Sequence, residues 1–193
     1  MEDKVVVAAQ GLVKTYNGQR AVDSIEFQVE KGEVLGIIGP NGAGKTTTLK
    51  MVTGLIPPTK GQILINGQVV SIDNIAIKKL IGYLPEDSPL YENMKTRDYL
   101  RFFADIHDIN REEADQRIDT LLKQLNLEES NKRLGTFSKG MKRKVAIARS
   151  LVNDPQILIY DEPASGLDPQ TAHYIIGFIR TMKDRGKTII FSG

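Results

Sequence analysis

The chain has 193 residues, no cysteine and two histidines, His107 and His173. That excludes disulfide frameworks, cysteine zinc sites and iron–sulfur clusters, and it argues against a histidine-rich metal site. Lys plus Arg is 26 and Asp plus Glu is 24, a net charge of +2, so the charge balance gives no sign of a nucleic-acid binder.

No apolar run approaches the ~18 residues of a membrane-spanning helix. The small apolar residues 5–9 follow acidic Glu2 and Asp3 and stop at Gln10, too short for a secretory leader. The expectation is a cytosolic protein that meets a membrane only through a partner. Residues 24–29 alternate, with Ile25, Phe27 and Val29 on one side and Ser24, Glu26 and Gln28 on the other, which predicts a half-buried strand. Lys31-Gly32-Glu33 predicts a turn, and the apolar run 34–38 a strand covered on both faces. A helix is expected from about 45 to 52, ended by Gly54 and kept from continuing by Pro57-Pro58. Asn66-Gly67 predicts a hairpin between 62–65 and 68–70, and 81–84 is another short strand.

From Thr96 to about Asn126 the pattern turns helical. Thr96 is the expected cap of a helix over 97–106, and Asn110 with Glu113 reads as a capping box. Ala114, Ile118, Leu121, Leu122 and Leu125 then recur at helical spacing. Further helices are expected over 139–153 and 169–185, and strands over 157–160 and 188–191. Alternating strands and helices define the α/β class, a mostly parallel sheet with helices on both faces. The all-helical block is an inserted subdomain.

Gly39-Pro40-Asn41-Gly42-Ala43-Gly44-Lys45-Thr46 fits a P-loop between an apolar strand and a helix. Glycines let backbone N–H groups converge on a phosphate chain, and the free N–H groups of the following helix add positive potential. Lys45 is placed to reach the terminal phosphates, and the Thr46 hydroxyl to bind Mg2+. The strand 157–160 runs straight into Asp161-Glu162. Two carboxylates at the carboxyl edge of a parallel sheet stand where ligands bind in such folds. Asp161 is a candidate Mg2+ ligand and Glu162 a candidate general base. The alternative is an acidic turn, which Pro163 would favour.

The order of these motifs resembles the nucleotide-binding domain of ABC transporters over essentially the whole chain. Residues 39–47, ending in Thr47, match the family's Walker A motif, and 157–162 its Walker B motif with the catalytic glutamate. Phe137-Ser138-Lys139-Gly140-Met141 stands where the family signature belongs, and Ser165-Gly166-Leu167-Asp168 matches the D-loop. Tyr16 lies where the family stacks an aromatic ring on adenine. The resemblance implies a P-loop NTPase core, an N-terminal antiparallel β subdomain and an inserted α-helical subdomain. It also implies ATP and Mg2+ as cofactors, and Lys45 and Glu162 as catalytic residues. The implied nucleotide contacts are Tyr16, Gly39, Pro40, Asn41, Gly42, Ala43, Gly44, Lys45, Thr46 and Thr47, with Ser138, Gly140 and Asp168 acting across a dimer interface. The implied partners are a second ATPase domain and an integral membrane permease, at the inner face of the cell membrane; no nucleic acid is expected.

Three departures from the family pattern stand out. Glu86 replaces the usual glutamine and adds a carboxylate near Mg2+; with the segment 86–94 it looks like the exporter branch called ABC-2. Lys139 and Met141 replace a glycine and a glutamine of the signature, and Lys139 is expected to add positive charge near a polyphosphate. The basic run Lys139, Lys142, Arg143 and Lys144 is expected to be a solvated helix face. Third, the chain stops at Gly193, before the family's switch histidine. The expectation is one C-terminally truncated cassette, divided into 1–85 (β subdomain and P-loop core), 86–153 (helical subdomain and signature helix) and 154–193 (Walker B, D-loop and last core strand). The readings that follow are an ATPase subunit of a transporter, a nucleotide binder impaired in hydrolysis, or a soluble ABC ATPase outside transport.

Overall fold

In the computed structural model, which describes residues 4–127 and 132–193, the chain forms two four-stranded sheets. The first is antiparallel and contains β1 (Val5–Tyr16), β2 (Gln19–Glu30), β4 (Lys60–Ile65) and β5 (Gln68–Val69), in the order β2-β1-β4-β5. The second is parallel and contains β3 (Val34–Ile37), β6 (Ile81–Leu84), β7 (Ile157–Tyr160) and β8 (Thr188–Ser192), in the order β3-β8-β7-β6.

The expected hairpin at Asn66-Gly67 joins β4 to β5, both turn residues having positive φ (49° and 73°), as a two-residue turn of this kind requires. β1 takes in the apolar run 5–9 and continues to Tyr16. Its pairing with β2 shifts register between Ala9 and Leu12, so the strand passes the polar stretch at Gln10-Gly11 through an irregularity that breaks simple alternation.

The helices are α1 (Lys45–Val52), α2 (Ile75–Lys79), α3 (Thr96–Ile106), α4 (Arg111–Gln124), α5 (Lys139–Leu151) and α6 (Pro169–Asp184). All but the short α2 fall within a few residues of the expected positions. The Asn110 side chain accepts from the Glu113 amide at 3.0 Å, as a capping box predicts. Thr96 does not cap α3. The cap position is Lys95, and Thr96 is fully buried inside the helix with its hydroxyl unpaired among the described residues.

The parallel sheet has different covers on its two faces. Leu158, Tyr160 and Ile189 face a core built with α3, α4, α5 and α6. Ile157, Ile159 and Ile190 face α1 and the antiparallel sheet. The expected helices are present on both faces, but unequally: one face takes α3, α4, α5 and α6, the other α1, the short α2 and the second sheet. All four residues of β7 are fully buried. β3 is not, although a strand covered on both faces was expected there. It pairs only with β8, its residues are half-buried or exposed, and Ile38 beyond it is 84% exposed. β6 lies close under α5 because Gly82 has no side chain; a Cβ there would collide with the Ser150 carbonyl oxygen.

Candidate functional site

The loop between β3 and α1 and the carboxyl ends of β6 and β7 enclose a cleft of about 350 Å3, lined by residues 40–47, Ala21, Glu86 and Glu162. Gly44 caps α1 in the left-handed region (φ 88°), and a Cβ there would strike the Ala21 carbonyl oxygen. Only glycine fits both demands. α1 carries no acidic residue in its first turn and no side-chain cap, so its amino end keeps free N–H groups for an anion. Lys45 is 8% exposed. Its Nζ donates to the Gly39 carbonyl at 2.7 Å and lies 3.3 Å from Glu162 Oε1.

Asp161 sits beneath the cleft, 1% exposed. Its Oδ1 accepts from the Ser192 hydroxyl at 2.6 Å, and Oδ2 has no hydrogen-bond partner among the described residues. A bare carboxylate oxygen in this setting is costly unless a cation or water meets it. This feature suits a divalent ion held by oxygen donors. Among the described residues no three His, Asp or Glu side chains gather into a metal-holding group. The Asp161 charge and burial together push the nearby Tyr83 hydroxyl up to about 12, burial being the larger cause, and that hydroxyl is likewise unpaired.

Glu162 holds a positive φ of 43°, an uncommon backbone state for a residue with a Cβ. Both sides of the residue are pinned. Its amide donates to Ser192 Oγ at 2.9 Å, and its carbonyl accepts from Arg143 Nη2 at 2.9 Å. Neither partner was legible as part of the site. Arg143 belongs to the basic run expected to be a solvated face, yet it is 9% exposed. Burial pushes its guanidinium below the ordinary arginine value, against the pull of Asp161 and Glu86. Two other members of the run are tied to neighbours: Lys142 to Glu92 at 2.6 Å, and Lys144 over the Tyr174 ring at 4.2 Å.

The remaining expected residues lie outside the cleft. Tyr16, at the end of β1, is 47% exposed beside Lys14. Ser138 caps α5 by accepting from the Met141 amide at 3.2 Å. Asp168 caps α6 through the Thr171 amide at 2.9 Å, and that bond holds its carboxyl below the usual range. Gly140 is needed inside the chain because a Cβ would press on Thr171. The Lys139 ammonium lies against Gly166 of the chain's own D-loop segment.

A P-loop after β3 and an acidic pair after β7, two strands apart in the same parallel sheet, define a nucleoside-triphosphate-binding α/β domain. Residues 22–165 match the family described as ABC transporter. The ABC transporter ATP-binding protein NatA of Bacillus subtilis is 41% identical over 175 residues, 90% of this chain and 71% of that protein. The Nod factor export ATP-binding protein I of a Rhizobium species is 36% identical over 190 residues, 98% of this chain and 62% of that protein. A dimeric ATP-binding cassette solved in a post-hydrolysis state with ADP and phosphate superposes with a TM-score of 0.85 at 27% identity, covering 96% of this chain and 87% of that one. The chain belongs to the ABC transporter family, as an ATP-binding domain of it. ATP-binding subunits of this family generally dimerise and work with membrane permeases. Among the described residues no helix is long and apolar enough to cross a membrane.

Proposed function

We propose that this chain is the ATP-binding subunit of an ABC exporter, hydrolysing Mg-ATP at a dimer interface to drive transport through a membrane permease. The observation that carries the reading is the position of Lys45, buried in the P-loop between the Gly39 carbonyl and the Glu162 carboxylate. A triphosphate in the cleft competes for this ammonium. As Lys45 turns to phosphate, Glu162 loses its counter-charge and becomes free to accept a proton from water. The loop amides and the α1 amino end take the phosphate charge. Thr46, Asp161 and Glu86 would supply the oxygens for Mg2+, which would contribute charge that stabilises the transferring phosphoryl group.

Ser138, Gly140 and Asp168 do not reach the cleft of their own chain, which supports their completing the site of a second copy. Export is supported by Glu86 with its following segment and by the exporter named among the relatives. The corresponding location is the cytoplasmic face of the membrane.

Equilibrium binding of ATP, with and without Mg2+, tests the site. Lys45→Ala is expected to weaken ATP binding at least about tenfold, the scale of one lost charge-assisted hydrogen bond. Wild-type affinity in a folded Lys45→Ala protein would contradict the assignment.

A further inference from the structure

Arg143 lies on the second turn of α5, away from the cleft, and its buried guanidinium bonds to no carboxylate oxygen among the described residues. Its five hydrogen bonds all end on main-chain carbonyls: Nε on Pro163 at 2.9 Å, Nη1 on Pro85 at 2.7 Å and Glu86 at 3.0 Å, and Nη2 on Asp161 and Glu162, both at 2.9 Å. These five bonds match the five donors of a guanidinium. One side chain thus ties three separate pieces of chain together: the signature helix, the loop after β6 that carries Glu86, and the acidic pair at the end of β7.

A buried cation satisfied this fully holds its surroundings in one arrangement. Three further facts give the tie a direction. Glu162 is in a strained backbone state that needs outside support. The Arg143 bond is on the carbonyl of that same residue. Ser138 and Gly140 lie within two turns of Arg143 on the same rigid helix. A rotation of α5 that moves the signature end must therefore drag the Glu86 and Glu162 carbonyls, or break their bonds.

We propose that Arg143 is a positioning residue that couples the orientation of the signature helix to the placement of Glu162 and Glu86. It rests on the reading of the cleft as an ATP site. No shorter donor set can replace it: a lysine offers three donors on one nitrogen and a glutamine two.

The test compares wild type, Arg143→Lys and Arg143→Gln by backbone hydrogen exchange, with and without Mg-ATP, alongside ATP affinity and melting temperature. In both variants, exchange at the amides of Glu86, Asp87, Asp161, Glu162, Ala164 and Ser165 is expected to rise about tenfold before any nucleotide is added, as local opening becomes easier. ATP affinity is expected to stay within about threefold of wild type, since Arg143 does not line the cleft, while any turnover falls at least about tenfold. ATP-induced protection is expected to reach residues 139–151 in wild type and to stop at the P-loop in the variants. Unchanged exchange at these six amides would overturn the proposal. So would ATP-induced protection of 139–151 that survives in the variants. Loss of the whole fold in Arg143→Lys would also overturn it, by making Arg143 a general core residue. Failure of wild type to bind ATP would instead remove the reading of the cleft, and the nucleotide-free exchange comparison would still decide whether Arg143 holds the two loops.

Discussion

The Ser192 hydroxyl stands between two functional groups, donating to Asp161 Oδ1 and accepting from the Glu162 amide. Ser192→Ala strips both at once in a fully buried place. Denaturant unfolding is expected to show a loss of about 1–3 kcal/mol, and an unchanged midpoint would contradict this account of the contact. At the residue scale the P-loop was legible because its chemistry runs through the backbone. Glycines at 42 and 44 and a lysine at 45 leave a fixed spacing in the sequence. The supports of Glu162 left no such trace. Ser192 lies 30 residues beyond it and Arg143 19 before it, and Arg143 binds carbonyls that every residue carries. A buried arginine whose partners are all main chain looks, in sequence, like one more charge on a basic helix.

At the scale of elements, the close approach of β6 to α5 depends on Gly82. Gly82→Ala forces a methyl group against the Ser150 carbonyl and the Pro155 ring, and thermal or denaturant unfolding is expected to register a loss of about 3 kcal/mol. The end of α3 carries a second, pH-dependent effect. Burial, reinforced by Lys79, lowers the His107 pKa from 6.5 against the opposing pull of Asp108. The folded state then binds this proton less readily than the unfolded state. Its stability is complete above about pH 6.5 and declines as pH falls through the lowered folded value. Comparing unfolding of wild type and His107→Gln between pH 7.5 and 5, at values on the order of those in which histidine titrates, should show a smaller acid loss in the variant; equal losses would remove His107 as the cause. Periodicity found α4 and α5 because their apolar faces repeat over several turns. It missed the five residues of α2, too short to show a period. It also mistook Thr96 for a cap, because burial inside α3, not hydrogen bonding to the helix end, decides that side chain's place.

At the scale of the molecule, the expected contacts fall into two groups. Lys45, Thr46, Glu86 and Glu162 share one cleft. Ser138 and Asp168 cap the amino ends of α5 and α6 elsewhere. The motifs were readable one by one, but their division between two places was not, since sequence order says nothing about which helix end faces which cleft. The central claim is that the cleft is half of a nucleotide site and that the second group completes it in another copy. Sedimentation velocity of Glu162→Gln with Mg-ATP tests this most directly, because the substitution removes the proposed base while leaving the P-loop intact. The account predicts a species of about twice the 21.4 kDa of one chain that appears only with nucleotide, and a single-chain species when Ser138→Arg is added although ATP still binds. A protein that stays single at saturating ATP, or a Ser138→Arg form that pairs as well as its parent, would contradict it.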